Sequence, residues 1–169
     1  MSVSFIVPCF NEEKNIVKTI NSIVYATKKL KIKNQIIIIN DGSTDRTDEI
    51  LLKFKKSKKI KILRNKSNSG LGFSFNKALK NAEYKWVMMI PGDNDIKSKY
   101  IIKFIKKKDD NKLIVGYMKN MKEKRSLFRT IVSNLFTSMS NFIFNKKFKY
   151  YIGIQLHNKN YLKQIKISY

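Results

Sequence analysis

The apolar positions of this chain change their period several times, and each change marks an element. Residues 3–8, VSFIVP, form a short continuous apolar run, the pattern of a strand buried on both faces. In the following EEKNIVKTINSIVYATKK, Ile16, Ile20, Ile23 and Val24 recur at helical spacing. QIIIIN is again a β-branched run, and RTDEILLKFKK after it predicts a second helix. Ser43 or Thr44 is expected to cap that helix, with Asp45, Asp48 and Glu49 near its positive end. KIKIL predicts a strand, RNKSNSGLG a loop, FSFNKALKNA a helix and YKWVMMI a further strand.

Strands that alternate with helices need crossover connections, so the expected fold class is α/β: one domain, with a mainly parallel sheet and helices on both faces. In such sheets ligands collect at the carboxyl ends of the strands. The segments that follow the four predicted strands are PCFNEE, NDGSTD, NKSNSGLG and PGDNDI. They carry acids, amides and glycines, whereas the lysines are concentrated elsewhere. All four are expected to meet on one edge of the sheet.

Each segment has a structural and a chemical reading. Asp93 and Asp95, two apart in a turn, could hold a divalent cation shared with a diphosphate, because Mg²⁺ and Mn²⁺ take oxygen ligands and accept substrate phosphates among them. Alternatively, Asp95 caps the helix IKSKYIIKFIKK. Asp41 either steadies its own turn or accepts a hydrogen bond from a nucleobase N–H. Gly70 and Gly72 either let the backbone approach a sugar or phosphate or supply a positive φ.

Composition alters this picture little. Of the 169 residues, 36 are Lys or Arg and 12 are Asp or Glu, a formal charge of +24. Such a field attracts polyanions, yet nearly all of the cations are lysines in a chain also rich in Asn and Ile, as AT-rich coding would produce. A nucleic-acid-binding module is therefore a rival reading; against it stand the acids at the strand ends and the absence of an RNA-binding motif. The hydrophobic content of 43% suits a packed domain. The single cysteine, Cys9, excludes an internal disulfide and suits a reducing compartment as a small core residue. No signal-peptide pattern and no run of 18 apolar residues is present, so the expected location is cytoplasmic.

The ordered set SFIVPCFNEEKNI, IIIINDGSTDRT, NSGLGFSFNKAL and WVMMIPGDNDI resembles the nucleotide-sugar half of the family 2 inverting glycosyltransferases, which have the GT-A fold. Within that family it is most similar to the dolichol-phosphate mannose synthase and polyprenyl-phosphate glycosyltransferase branch. The resemblance covers about residues 3–100. It implies a nucleotide-binding part over residues 1–110 and an acceptor- and membrane-facing part over residues 111–169. It further implies a UDP- or GDP-sugar donor, with Pro8, Phe10 and Glu12 at the base and ribose, Asp41 reading the base and Gly70 to Gly72 against the nucleoside. Asp93 and Asp95 take the place of the family's Mg²⁺- or Mn²⁺-binding acids. In a register one step earlier, Asp93 is the second acid and Pro91 stands at the first.

The later part departs from the family. No Asp or Glu follows Glu123, and Lys149, Tyr150 and Tyr151 stand where this branch carries an acid. Transfer to a hydroxyl needs a general base. Three readings answer this: a polyprenyl-phosphate acceptor, already ionised and needing no base; His157 as base; or a weakly active, nucleotide-binding pseudoenzyme. The first is preferred, with a transferase acting on a hydroxyl acceptor in cell-surface polysaccharide synthesis as the alternative.

The stretch KRSLFRTIVSNLFTSMSNFIFNKKFK bears on the choice. Leu127, Phe128, Ile131, Val132, Leu135, Phe136, Met139, Phe142 and Ile143 share one broad helical face, with basic residues at both ends. Either the face packs on a core, or it lies in a membrane interface with lysines on lipid phosphates, peripheral at the inner face. Arg129 and Ser133 match an R-x-x-x-S feature of the lipid-phosphate branch, which implies an arginine on the acceptor phosphate or diphosphate.

Overall fold

Six strands form one sheet in the order β3-β2-β1-β4-β6-β5. The computed structural model describes residues 1–107, 113–116, 127–148 and 153–162. The strands are β1 (Ser2–Cys9), β2 (Lys33–Asn40), β3 (Ile60–Arg64), β4 (Trp86–Met89), β5 (Leu113–Val115) and β6 (Gln155–Asn158). The helices are α1 (Ile16–Lys29), α2 (Thr47–Leu52), α3 (Leu71–Leu79), α4 (Ser98–Lys106), α5 (Leu127–Ile143) and α6 (Lys159–Leu162). β1 pairs in parallel with both β2 and β4, and β2 with β3; β6 returns antiparallel to β4, with Met88 opposite Leu156 and Trp86 opposite Asn158.

The continuous apolar runs are explained by burial on both faces. Ile6, Ile37, Ile39 and Val87 point to the side where Ala78 and Leu79 of α3 and Leu162 of α6 close over them. Their sequence neighbours Phe5, Ile36, Ile38 and Met88 are equally buried on the other side of the pleat. There Ile16, Ile20 and Ile23 make the inner stripe of α1, which packs beside α4 and its buried Ile101 and Ile105. Burying each such side chain contributes about 1.5–3 kcal/mol, so the alternating helices are held chiefly by their apolar stripes.

Two helix starts differ from the sequence expectation. α2 begins one turn later than Ser43 or Thr44 allow: both are drawn to Asn11, while Asp45 Oδ1 accepts from the Thr47 N–H at 2.9 Å. α4 begins at Ser98 behind Lys97, so Asp95 does not cap it. The chain divides into two compact units, Met1–Ile114 with Leu156–Tyr169, and Val115–Gln155. Most of the segment carrying β6 falls in the same unit as β1 to β4.

Candidate active site at the carboxyl edge of the sheet

The four segments expected at one edge do meet there, because β1 to β4 all run in the same direction. The first and second are stitched reciprocally. Asn11, at φ +56°, turns its Oδ1 to the Thr44 N–H at 2.8 Å; the Glu12 N–H reaches Thr47 Oγ1 at 2.8 Å and the Glu13 N–H reaches Asp45 Oδ2 at 3.1 Å. In return, Glu13 Oε2 accepts from the Arg46 N–H at 3.1 Å. Asn is among the few residues that adopt this left-handed backbone at low cost.

The second and third segments are joined through Asp41, buried at 6% exposure. Its Oδ1 accepts from Asn65 Nδ2 at 2.6 Å and the Ser69 N–H at 3.0 Å, and its Oδ2 from the Gly70 N–H at 3.0 Å. Burial pushes the carboxyl pKa up, but these bonds, with the Ser74 hydroxyl adding to them, outweigh it and hold Asp41 below the usual carboxylate range. Gly42, at φ +72°, lets the two segments touch: a Cβ there would stand 2.4 Å from the Ser67 carbonyl carbon. Asp48 is likewise held low against burial, by Arg64 Nε at 2.6 Å and Asn40 Nδ2 at 3.0 Å.

The first and fourth segments meet at Gly92, whose N–H donates to the Pro8 carbonyl at 3.0 Å and whose carbonyl accepts from Thr19 Oγ1 at 2.8 Å. A Cβ on Gly92 would come within 2.9 Å of Cys9 Cβ and 3.3 Å of Glu12 Cγ. Beyond it the chain turns through Asn94 at φ +59°, and Asp93 Oδ1 accepts from the Asp95 N–H at 3.0 Å. Burial, with the carboxylates Glu12, Asp45, Asp41 and Asp48 around it, pushes the Cys9 thiol up to about 12, which makes it the inert core residue expected.

Of the residues singled out in the sequence, Phe10, Glu12, Asp41, Gly70, Gly72, Asp93 and Asp95 therefore lie on or beside this edge. Pro8 is buried in β1 and reaches the site through its backbone carbonyl. His157 is not brought to the edge. It sits in β6 opposite Val87, three residues before Ile90 in register, about 10 Å short of the fourth segment at strand rise. Burial also lowers its pKa. Arg129 lies on α5, in the other unit, and its side chain is outside what is described; Glu123, Lys149, Tyr150 and Tyr151 are outside the described residues. The sequence does not single out Asn11, Asn65 and Lys77, although Asn65 follows its strand at the level of Asp41 and Asn11 stands one residue beyond it.

A cation would have two carboxylates here, and among the described residues no group of three or more His, Cys, Asp or Glu side chains could hold one. Asp93, with one oxygen engaged in its turn, and the exposed Asp95 fit a Mg²⁺-type site that completes its shell with phosphate and water oxygens, not a closed protein cage.

The family model for glycosyl transferase family 2 matches residues 4–163. The chain belongs to that family. An uncharacterised protein of Methanocaldococcus jannaschii is 31% identical over 96% of this chain and 74% of its own length. The poly-beta-1,6-N-acetyl-D-glucosamine synthase of Staphylococcus epidermidis is 36% identical over 56% of this chain, which matches only 22% of the synthase. S. aureus TarS 1–349 in complex with UDP-GlcNAc superposes with a TM-score of 0.55 at 29% identity, over 75% of this chain and 37% of that one. The mannosyltransferase PcManGT of Pyrobaculum calidifontis, in complex with GDP-Man and Mn²⁺, shares the fold at a TM-score of 0.66 and 13% identity, over 97% and 46% of the two chains. The chain thus spans about three quarters of the archaeal relative and less than half of the others, and its sheet and helices are those of the GT-A glycosyltransferases.

Proposed function

We propose that the protein transfers a sugar from a UDP- or GDP-sugar, with Mg²⁺ or Mn²⁺, to a polyprenyl phosphate at the cytoplasmic face of a membrane, with inversion at the sugar. The observation that carries the donor half is the convergence of four acid- and amide-bearing segments on one edge of a parallel sheet in a family 2 chain. In this reading the edge between Phe10, Glu12, Asp41 and Gly70 receives the nucleoside, and Asp93 with Asp95 holds the cation. The cation, when bound, neutralises charge on the departing nucleoside diphosphate. The chain's own residues do the positioning: Asp41 fixes the third segment, and Gly92 brings the acidic turn against Glu12.

The acceptor half is supported by what is lacking and by what is exposed. His157 stands opposite Val87 in β6, away from the carboxyl ends of β1 to β4, and a lipid phosphate, already ionised, needs no general base. α5 turns its apolar residues outward: Leu127 is 84% and Phe142 88% exposed, while Ser140 is buried. A helix with its large side chains in solvent is the reverse of a core-facing helix and suits an interface of lipid. No helix among the described residues is long and apolar enough to cross a membrane.

The likeness to a polysaccharide synthase favours a second reading, transfer to a sugar hydroxyl in a surface glycan. A base from outside the described residues is then required.

The test of the donor site is calorimetric titration with UDP and GDP, each with and without Mn²⁺, on the native protein and Asp93→Asn. Binding of one nucleotide that needs both metal and Asp93 is expected. Absence of binding by either nucleotide under every condition would sink the reading. Radiolabelled sugar appearing in a polyprenyl phosphate, against a glycan hydroxyl, separates the two acceptors.

A further inference from the structure

α1 carries two buried threonines, Thr19 and Thr27, and their hydroxyls are used differently. Inside a helix a threonine hydroxyl ordinarily turns back to a carbonyl three or four residues earlier. Thr27 does this, its hydroxyl shared between the Ile23 carbonyl at 3.0 Å and the Val24 carbonyl at 3.1 Å. Thr19 does not: its hydroxyl leaves the helix and donates to the Gly92 carbonyl at 2.8 Å, in the peptide that leads into Asp93.

That bond reaches the acidic turn where the sheet lets go of it. The Ile90 and Gly92 N–H groups still donate to the Ile6 and Pro8 carbonyls of β1. Beyond them, among the described residues, residues 93–95 have the turn's own bond, from the Asp95 N–H to Asp93 Oδ1 at 3.0 Å. They have one more from α1, from Ser22 Oγ to Asn94 Oδ1 at 3.4 Å. Thr19 and Gly92 are both buried, so water does not stand in for the bond between them. Without it the Gly92 carbonyl is an orphaned acceptor, and its peptide turns to find a partner. The Asp93 N–H belongs to that same planar peptide, so the Asp93 carboxylate swings with it.

We propose that Thr19 is a positioning residue for the cation, an inference that rests on the reading in which Asp93 and Asp95 hold it. α1 is anchored on the Glu12 carbonyl, which accepts from the Asn15 and Ile16 N–H groups at 3.0 and 2.9 Å. One helix therefore runs from a segment of the nucleoside edge to the acidic turn and fixes the second against the first. A Mg²⁺-type ion demands near-octahedral oxygens at about 2.0–2.1 Å. Among the described residues no third His, Cys, Asp or Glu joins the two carboxylates, so none makes good a misplaced one. Removing a group that orients a metal ligand typically lowers metal affinity about 10–100-fold; Thr19 acts through one peptide, so about tenfold is expected. A threonine that merely satisfied a buried carbonyl would change stability alone.

The experiment is calorimetric titration with UDP and with GDP at a series of Mn²⁺ concentrations, for the native chain, Thr19→Val, Thr19→Ser and Thr27→Val. The readout is the Mn²⁺ concentration that gives half of the full gain in nucleotide affinity. Thr19→Val keeps the shape and removes the hydroxyl; it is expected to raise that half-point about tenfold, while nucleotide affinity extrapolated to zero Mn²⁺ stays native. Thr19→Ser restores the donor and the native half-point, and Thr27→Val, the same exchange at the other buried threonine, does not move it. An unchanged half-point in Thr19→Val overturns the proposal. So does an equal rise in Thr27→Val, or an equal loss of nucleotide affinity with and without Mn²⁺. In each of these cases, native binding that needs Mn²⁺ and Asp93 leaves the donor reading standing. A native chain indifferent to Mn²⁺ removes the cation and this role together, and no binding by either nucleotide removes the donor reading as well. If circular dichroism shows that Thr19→Val does not fold, the half-point is measured on Ser22→Ala, where a several-fold rise is expected and the native value overturns the proposal.

Discussion

Gly42→Ala should damage the edge out of proportion to the single methyl it adds. At φ +72° an alanine loses about 1–2 kcal/mol through its Cβ alone. The Cβ would also meet backbone, not a side chain that can swing away: Ser67 carbonyl carbon at 2.4 Å, Ser67 Cα at 2.6 Å and Asn68 N at 2.7 Å. Either the second segment or the third must shift by most of an ångström, and at least one of the Ser69 and Gly70 amides must then leave Asp41. Each bond to a charged acceptor contributes about 1.5–3 kcal/mol, so losing one of them with the backbone strain gives a total of about 2.5–5 kcal/mol. Gly70→Ala is the internal control. Its φ is +86°, but nothing lies within 4 Å of the added Cβ, so only conformational strain of about 1–3 kcal/mol applies. Urea unfolding of the two variants, followed by UDP titration, compares them. A Gly42→Ala protein within 1 kcal/mol of the native one, or no less stable than Gly70→Ala, would refute the argument that contact between backbones governs this position.

Three further outcomes follow from the same geometry. Because the folded-state pKa values of Asp41 and Asp48 lie below their unfolded values, their stabilisation is full above about pH 4 and drains away as pH falls through the folded values; the urea midpoint should be flat from neutrality to about pH 5 and drop below it, and Asp41→Asn should blunt the drop. An unchanged slope in that variant would mean that other carboxylates carry the acid sensitivity. The Cys9 thiol, pushed up to about 12, should resist iodoacetamide in the native protein at pH 8 and react once urea is added; prompt native alkylation would contradict its burial. Replacing Leu135 and Phe142 on α5 by Asp should weaken sedimentation with anionic vesicles while leaving UDP affinity as it was, and equal sedimentation of native and variant chains would end the lipid-interface reading.

Much of this arrangement is legible in the sequence. The runs FIV and IIII can only be strands covered on both faces, and the acids and glycines behind them mark the carboxyl edge. What resisted reading is the traffic between segments far apart in sequence. Asp41 was recognisable as a turn or binding residue, but nothing in NDGS says that its carboxylate holds amides at positions 69 and 70. Ser43 and Thr44 had the composition of a helix cap, but Asn11, brought in by β1, engages both, and the helix starts behind Arg46. His157 reads as a candidate base in the sequence, and only the antiparallel register of β6 shows that it stands opposite Val87. Local pattern predicts elements, and register decides which side chains share a site.

The reciprocal bonds between residues 11–13 and 43–47 carry a consequence for how such an edge changes over generations. A substitution at Thr47 takes the partner from the half-buried Glu12 amide, and one at Asn11 leaves the Thr44 amide to water, so a change in either segment loosens its hold on the other. They hold each other's shape from two places about thirty residues apart. Grafting a relative's first segment onto this chain to alter its donor should therefore give poorly folded protein unless the relative's second segment is moved with it.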